Sequence, residues 1–276
     1  MRASLIFLCL LMAAKTSASA DWSSIRIGTE GLFPPWNATA DDGGLEGFEI
    51  DLAKDLCRRM NATCEIVQQR WDGMLPALTT GKFDLVMAGM KITKEREKLI
   101  DFSTCYAADV ATFAVKVDGA LAATVSPHRR ANLTAFSSED RTSINALRQA
   151  LAGTVVGVQV ATVHADFVVR YLQDLVDVRY YDTLENLTRD LDAGRIDAAL
   201  SSRSYWNRVR EGENGVELAL IGPDMIGDVF GRGIGVGLRK DDSELRLQLN
   251  DAIEEALADG SVAKLAEQWF GYDLSC

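Results

Sequence analysis

Two stretches of this chain nearly repeat, and together they narrow the folds open to it. "LTTGKFDLVMAG" (78–89) and "LDAGRIDAALSS" (191–202) share a helix end, a glycine, a cation, an apolar residue, an aspartate and a strand-like run. The glycine suits a helix C-cap, and the apolar run suits a strand buried in a parallel sheet. Each stretch closes an alternating series. "SIRIGT" reads as strand, "FEIDLAKDLCRRM" as a helix with Leu52, Leu56 and Met60 on one stripe, and "CEIVQQ" as strand. "WDGMLPALTTG" reads as a helix ending at Gly81 and "KFDLVMAGM" as a strand. A polar, irregular stretch follows near 119–150, and then the series restarts. "TVVGVQV", "VRYY" and "RIDAALSS" are its strands, "ATVHADFVVRYLQDL" and "TLENLTRDLDAG" its helices. Two β-α-β-α-β blocks predict two similar α/β lobes rather than one sheet. The remainder, from "GRGIGVG" onward, reads as a glycine-rich strand and then helices. It is no dinucleotide fingerprint, because Val236 stands where the third glycine of G-x-G-x-x-G would fall.

The opening residues have the order of a secretory signal: Arg2, an apolar run from Leu5 to Leu11, then Ala18-Ser19-Ala20 before Asp21. Cleavage is expected after Ala20. The run is too short to span a bilayer, bulky Leu8 before Cys9 argues against a lipid anchor, and an exported, soluble protein is expected. The formal charge is −11, and losing Arg2 and Lys15 with the signal takes it to −13. That disfavours nucleic acid and anionic membrane surfaces as partners. Four cysteines remain, an even count that permits disulfides in an exported protein. Cys57 and Cys64 bracket "CRRMNATC", close enough to staple a helix end to the next turn, which would contribute about 2.5 kcal/mol in the chain-entropy model. Cys105 and Cys276 are left over by arithmetic alone. The two histidines, His128 and His164, are too far off in sequence to suggest a zinc site with the cysteines.

In sheets of this kind ligands bind beyond the carboxyl ends of the strands. Those ends are Thr29-Glu30, Gln69, Ala88 to Lys91, Val160 to Thr162 and Ser201-Ser202. The chain has no G-x-S-x-G, P-loop, H-E-x-x-H or paired Cys-x-x-Cys, so no catalytic constellation or cofactor site stands out. His164, near a helix start, has two open readings, a functional group or a first-turn cap. The stretch "MAGMKITKER" places Lys91 and Arg96 just past a strand. Thr93 can cap a helix there, bringing backbone N–H groups and the Arg96 guanidinium to one spot suited to a carboxylate. The other reading pairs Arg96 with Glu95 or Glu97 on the surface.

At this point the residues resemble the polar amino-acid-binding proteins of periplasmic ABC importers, over the whole mature chain. "IRIGTEGLFPPW", "GLEGFEIDLAKDLCRRM", "WDGMLPALTTGKFDLVMAG", "ITKERE", "IDFS" and "GVGLRKDD" are similar to lysine/arginine/ornithine- and histidine-binding proteins. "WDG", "GVQ" with a histidine five residues after Gln159, "IDAALSS" and "LAEQWFGYD" look like the octopine- and nopaline-binding subgroup. The resemblance implies a type II two-lobe periplasmic binding fold, each lobe a mixed sheet flanked by helices, joined by two hinge strands. It divides the chain into signal (1–20), lobe 1 (21–109 and 231–276) and lobe 2 (110–230). It implies that Arg96 clamps a ligand α-carboxylate with help from the backbone at Thr162. Phe33 and Trp71 would sandwich the ligand side chain and Glu30 would meet a basic head. Ala88, Met90, Gln159, Ala161 and His164 complete the expected ligand set, and Cys57 with Cys64 match the family disulfide. Two departures stand out. Ser202 occupies the place of an aspartate that holds an α-ammonium, and Lys91 that of a serine or threonine. An unpaired or like charge in a closed cleft costs several kcal/mol, so this pole disfavours a primary ammonium. An opine, whose secondary amine carries an extra carboxylate, would suit it, with Lys91 meeting that carboxylate. In the other reading Lys91 points outward or pairs with a protein carboxylate. Ala161 stands where the family usually has glycine.

The expected role is therefore capture of a basic amino acid or an arginine-derived opine by a monomer that serves an inner-membrane ABC permease, with no cofactor or metal. The alternatives are a binder of a neutral polar amino acid and an enzyme on the same scaffold, such as a cyclohexadienyl dehydratase, with Glu30 or His164 as its acid. A receptor sensor domain is disfavoured, since no transmembrane or kinase segment follows.

Overall fold

The computed structural model describes residues 22–124, 126, 129–212 and 216–276; the expected signal sequence and His128 lie outside them. The two near-repeats make the same local structure. Gly81 and Gly194 have φ of 77° and 65°, and each closes its helix with a pair of backbone bonds. Gly81 N–H donates to Leu78 O and Lys82 N–H to Ala77 O; Gly194 N–H donates to Leu191 O and Arg195 N–H to Asp190 O. The aspartate does the same job in both. Asp84 accepts from Arg26 N–H at 3.0 Å, and Asp197 from Val155 N–H at 2.8 Å, each fixing the start of the neighbouring strand.

Strand β1 (Ser24–Thr29) is followed by a small three-stranded hairpin that the sequence did not reveal: β2 (Leu32–Phe33), β3 (Asn37–Thr39) and β4 (Leu45–Glu46). Then come α1 (Phe48–Arg59), β5 (Thr63–Gln68), α2 (Met74–Thr79) and β6 (Leu85–Val86). The expected helix over "WDGMLPALTTG" is a 3-10 turn, Trp71–Gly73, and the six residues of α2. Gly73, Pro76 and two threonines leave little to propagate a helix. The strand expected over "KFDLVMAGM" is also short, because the chain turns at Gly89, φ 60°, into the cleft. Next are α3 (Lys94–Glu97), β7 (Asp101–Phe102), β8 (Ala111–Lys116) and β9 (Arg130–Asn132).

The stretch read as irregular near 119–150 holds a 14-residue helix, α4 (Ser138–Leu151). Its signals were present but outweighed by surface polarity. Ser137 and Asp140 form a reciprocal capping box, and Ile144, Leu147 and Leu151 make one buried stripe. The second block follows as β10 (Val155–Gln159), α5 (Val163–Tyr171), β11 (Asp177–Tyr181), α6 (Leu184–Asp192) and β12 (Ala198–Ser202). The chain ends with α7 (Arg203–Glu211), β13 (Leu218–Ile226), β14 (Gly237–Leu238), α8 (Ser243–Ala258) and α9 (Ser261–Phe270).

Two sheets result. One has the order β5-β1-β6-β14-β7, the other β11-β10-β12-β8-β13-β9. Within each, the first strand of the block lies between its second and third, all parallel; beyond the third strand, β14 and β8 pair antiparallel, β14 bridging to β7 and β8 to β13, and β9 closes the second sheet parallel to β13. The glycine-rich segment supplies only the two residues of β14 as regular strand, since Gly231 and Gly233 have φ of 69° and 121°. The chain crosses from one sheet to the other between β7 and β8, and returns between β13 and β14. Each sheet has its own core, around Trp36, Phe48 and Tyr106 in one and around Phe113, Phe167 and Val158 in the other. Cys57 is joined to Cys64 and Cys105 to Cys276, with Cα separations of 6.2 Å and 5.9 Å. Among the described residues no helix is long and apolar enough to cross a membrane.

One glycine shows how tightly the chain entering β6 packs on β1. A Cβ on Gly28, in β1, would meet the ring of the fully buried Phe83 at 2.6 Å. Gly28→Ala is expected to cost about 1–3 kcal/mol by overpacking, read as a lower midpoint in chemical denaturation with an unchanged slope.

Candidate functional site

The carboxyl ends of the parallel strands in the two sheets face one another across a cleft with about 410 Å³ of empty space, its mouth included. Glu30, just past β1, is 4% exposed. Its Oε1 accepts a hydrogen bond from Gln159 Nε2 at 2.8 Å, so the ends of the first strands of the two blocks are joined directly. Burial pushes the Glu30 carboxyl up to about 7, although the Gln159 bond pulls the other way. Phe33 comes from the hairpin and stacks on Trp36 with ring centroids 6.1 Å apart. Trp71, in the 3-10 turn, donates Nε1–H to Ala161 O at 3.0 Å, a second bond between the lobes.

The cations sit together. Thr93 caps α3 by accepting from Arg96 N–H. The Arg96 guanidinium lies 5.2 Å from the Trp71 ring centroid and donates to Lys91 O at 3.0 Å. Glu95 pairs with Lys98, and Glu97 with Arg232, so the surface pairings considered for Arg96 are not made. Arg96 is partly exposed as a residue, yet its head group is enclosed, and desolvation draws it down to about 10. Lys91 is 5% exposed. Its Nζ donates to the Asp109 carbonyl at 2.5 Å, so it lines the cleft while also gripping the first crossing. Burial, followed by Asp109 in the opposite sense and Arg96 in the same sense, leaves it at about 8.

Lobe 2 contributes the start of α5 and the end of β12. Thr162 caps α5, accepting from Ala165 N–H and donating to Gln159 O at 2.7 Å. With the cap supplied by Thr162, His164 is free of that role. Its ring lies 5.9 Å from that of Phe230 and its Nε2 is buried with no hydrogen-bond partner. Burial first, then Lys91 and Arg96, lower it to about 3, so the imidazole is neutral at ordinary pH. Ser202 ends β12, 3% exposed, and the adjacent Ser201 hydroxyl is buried without a partner.

Of the residues expected from sequence, Glu30, Phe33, Trp71, Ala88, Lys91, Arg96, Gln159, Thr162, His164 and Ser202 line the cleft. Met90 and Ala161 do not. Met90 alternates to the opposite side and is buried in the core with Ile100 and Phe102. Ala161 has φ 57°, a left-handed conformation that favours the glycine usual in the family, and it offers its carbonyl to Trp71. Gly89, Val163, Leu184 and Ser201 also line the cleft. Gly89 and Ser201 fall within strand ends visible in the sequence. Val163 and Leu184 begin the helices after β10 and β11, and the strand end at Tyr181 was the signal for Leu184. Among the described residues no group of histidine, cysteine, aspartate and glutamate could hold a metal ion.

Behind the cleft, Glu49 is fully buried. It accepts from Gly89 N–H at 2.8 Å, from Asn37 Nδ2 at 2.8 Å and from the Tyr106 hydroxyl. Asn37 in turn accepts from Gly31 N–H at 2.8 Å. One carboxylate thus anchors the turns that carry Glu30 and Lys91.

The chain is 36% identical to the octopine-binding periplasmic protein of Rhizobium meliloti, in an alignment covering 100% of this chain and 99% of that one. It is 32% identical to the histidine-binding periplasmic protein of Escherichia coli K12, covering 96% and 95%. The solved structure of an ancestral arginine-binding protein bound to arginine superposes with a TM-score of 0.74 at 30% identity, covering 90% of this chain and 99% of the other. Two lobes built on the same β-α-β-α-β block, joined by two crossings around a cleft at their strand ends, agree with a family match that runs over residues 25–272, nearly all of the described chain: the protein belongs to the bacterial extracellular solute-binding proteins, family 3.

Proposed function

We propose that this protein is the periplasmic solute-capturing component of an ABC importer, and that its ligand is a basic amino acid or, in better accord with the cleft, an arginine-derived opine. The observation that carries this reading is the charge layout. Among the described residues that line the cleft, Glu30 is the one acid, bonded to Gln159, while Lys91 and Arg96 both act on the neutral His164 imidazole and the Trp71 ring lies against Arg96. A guanidinium suits Glu30, where ion pairing and stacking on Phe33 and Trp71 both contribute. A carboxylate suits Arg96. Lys91, with Ser202 in place of an acid, offers a primary ammonium no counter-charge but suits a further carboxylate. The octopine-binding relative and the arginine-bound structural neighbour support both halves of this reading. The same reading proposes partnership with an inner-membrane ABC permease, a monomeric state and cleavage after Ala20.

Binding is proposed to occur without turnover. The cleft has a buried carboxyl, Glu30, but His164 is held as the neutral imidazole, and among the described residues that line the cleft no nucleophile is bonded to a base. Incubation with prephenate or arogenate should leave both unchanged, and product formation would favour the dehydratase reading instead.

Arg96→Ala should weaken binding by about 2–5 kcal/mol, at least roughly thirtyfold, by leaving a desolvated carboxylate unpaired. A loss under tenfold by calorimetry would remove Arg96 from the role of clamp. Titration with octopine, nopaline and arginine should show wild type preferring an opine. Lys91→Ser should weaken opine binding while sparing arginine, and Ser202→Asp should shift preference the same way. An arginine preference in wild type that Lys91→Ser leaves unaltered would reduce the ligand to a plain basic amino acid.

The Glu30 carboxyl adds a pH signature. A cationic head requires it ionised, so below about 7 binding must first remove its proton, and affinity should fall by up to tenfold per pH unit. The sign for the unliganded fold is opposite. Because burial raises this acid above its unfolded value, its ionisation weakens the fold as pH rises from about 4.5 to about 7. Glu30→Gln should flatten the affinity profile between pH 5 and 8; a variant with the wild-type profile would show that another group titrates.

A further inference from the structure

Lys91 is tied to the crossings by more than its ammonium. Four chain segments lie side by side, each bridged to the next by antiparallel pairing: Lys91 to Ile234, Ile234 to Ala107, and Ala107 to Ser275. They belong in turn to the cleft, the second crossing, the first crossing and the segment after α9. The bonds are well formed. Ile92 N–H donates to Gly233 O at 2.9 Å and Ile234 N–H to Ala107 O at 2.8 Å. Tyr106 N–H donates to Ile234 O at 3.0 Å and Ala108 N–H to Leu274 O at 2.8 Å. Leu274 is 7% exposed and packs in the core of the first lobe. Cys276 is joined to Cys105, whose sulfur fills the space beside Gly233, where an added Cβ would come within 2.2 Å of it. The disulfide is therefore packed against both crossings at once. Lys91 closes the circuit, since its Nζ donates to Asp109 O, two residues beyond Ala107 on the same crossing.

We propose that the segment Leu274–Cys276 is a positioning element for the ligand cleft. Locked to Cys105, it fixes the spacing of the two crossings and so the place of the Lys91 ammonium. Without it, the Ala107 strand loses its outer neighbour, the crossings can slide apart, and the Lys91 ammonium is no longer held at one point. The consequence is selective: a ligand whose extra carboxylate meets Lys91 is affected more than one held by Glu30 and Arg96 alone. The inference rests on the reading of Lys91 given above.

The test is calorimetric titration of the full chain with octopine and with arginine, in wild type, Lys91→Ser and Cys105→Ser/Cys276→Ser. Leu274→Ala, which keeps both cysteines and loosens the segment, covers failure of the double variant to fold. The expected result is a loss of octopine affinity of about tenfold in the segment variants, with arginine affinity within about threefold of wild type, and no added effect on the ratio in the Lys91→Ser background. A lower melting temperature with both affinities retained would overturn the proposal, as would equal loss for both ligands. If Lys91→Ser changes the octopine-to-arginine ratio while the segment variants do not, this inference alone fails. If Lys91→Ser leaves the ratio unchanged, or wild type binds neither probe, the reading of Lys91 fails and the inference with it.

Discussion

The Glu49 carboxylate is the interaction on which the first lobe's half of the cleft depends. A fully buried acid is costly unless its oxygens are satisfied, and here backbone, amide and phenol donors converge on it. Burial raises the carboxyl and, with Glu49 beside it, raises the Tyr106 phenol as well. The network crosses sequence-distant elements: the first turn of α1, the hairpin, the turn after β6 and the approach to the first crossing. The positions of Glu30 and Lys91 are thus set by the core rather than by their own surface loops, as a preorganised charged site requires. Removing any one donor would leave a buried carboxylate less well satisfied, at a cost of about 1–3 kcal/mol.

Much of this architecture was legible in the sequence because α/β alternation writes itself in periodicity and punctuation. Gly81 and Gly194 end their helices as their positions suggested, and Asp84 and Asp197 repeat one capping role at the two sheets. The cleft could be located from strand ends before any residue role was assigned. Less was legible where short-range signals conflicted with burial. The α4 helix carries many polar residues, so Ile144, Leu147 and Leu151 stood out weakly despite the Ser137–Asp140 cap. Met90 lies within a strand end, and only the turn at Gly89 decides that its side chain enters the core while its neighbours face the cleft. Lys91 lines the cleft and also grips the Asp109 backbone carbonyl, a partner that neither reading of the sequence named.

The electrostatics of the cleft follow from desolvation more than from pairing. Glu30, Lys91, Arg96 and His164 all move toward their neutral forms, and burial is the leading cause for each. A ligand that brings opposite charges to these groups recovers stabilisation that solvent cannot supply in the closed cleft. That is a reason for charge complementarity to dominate selection between similar ligands.

The placement of β14 carries a consequence for how the molecule is made. It lies between β6 and β7, with Gly237 paired to both Val86 and Phe102, so one central strand of the first sheet comes from far along the chain. Every strand of the second sheet lies within residues 111–226, and that sheet can form as soon as its own segment is free. The first lobe must hold open a gap between two short strands until the returning segment arrives, and such long-range pairing slows folding. The second lobe is thus placed to fold early and to carry the returning strand into position. A lesion in its core would then reach the first lobe as a delay in assembly, even where the two share no contact.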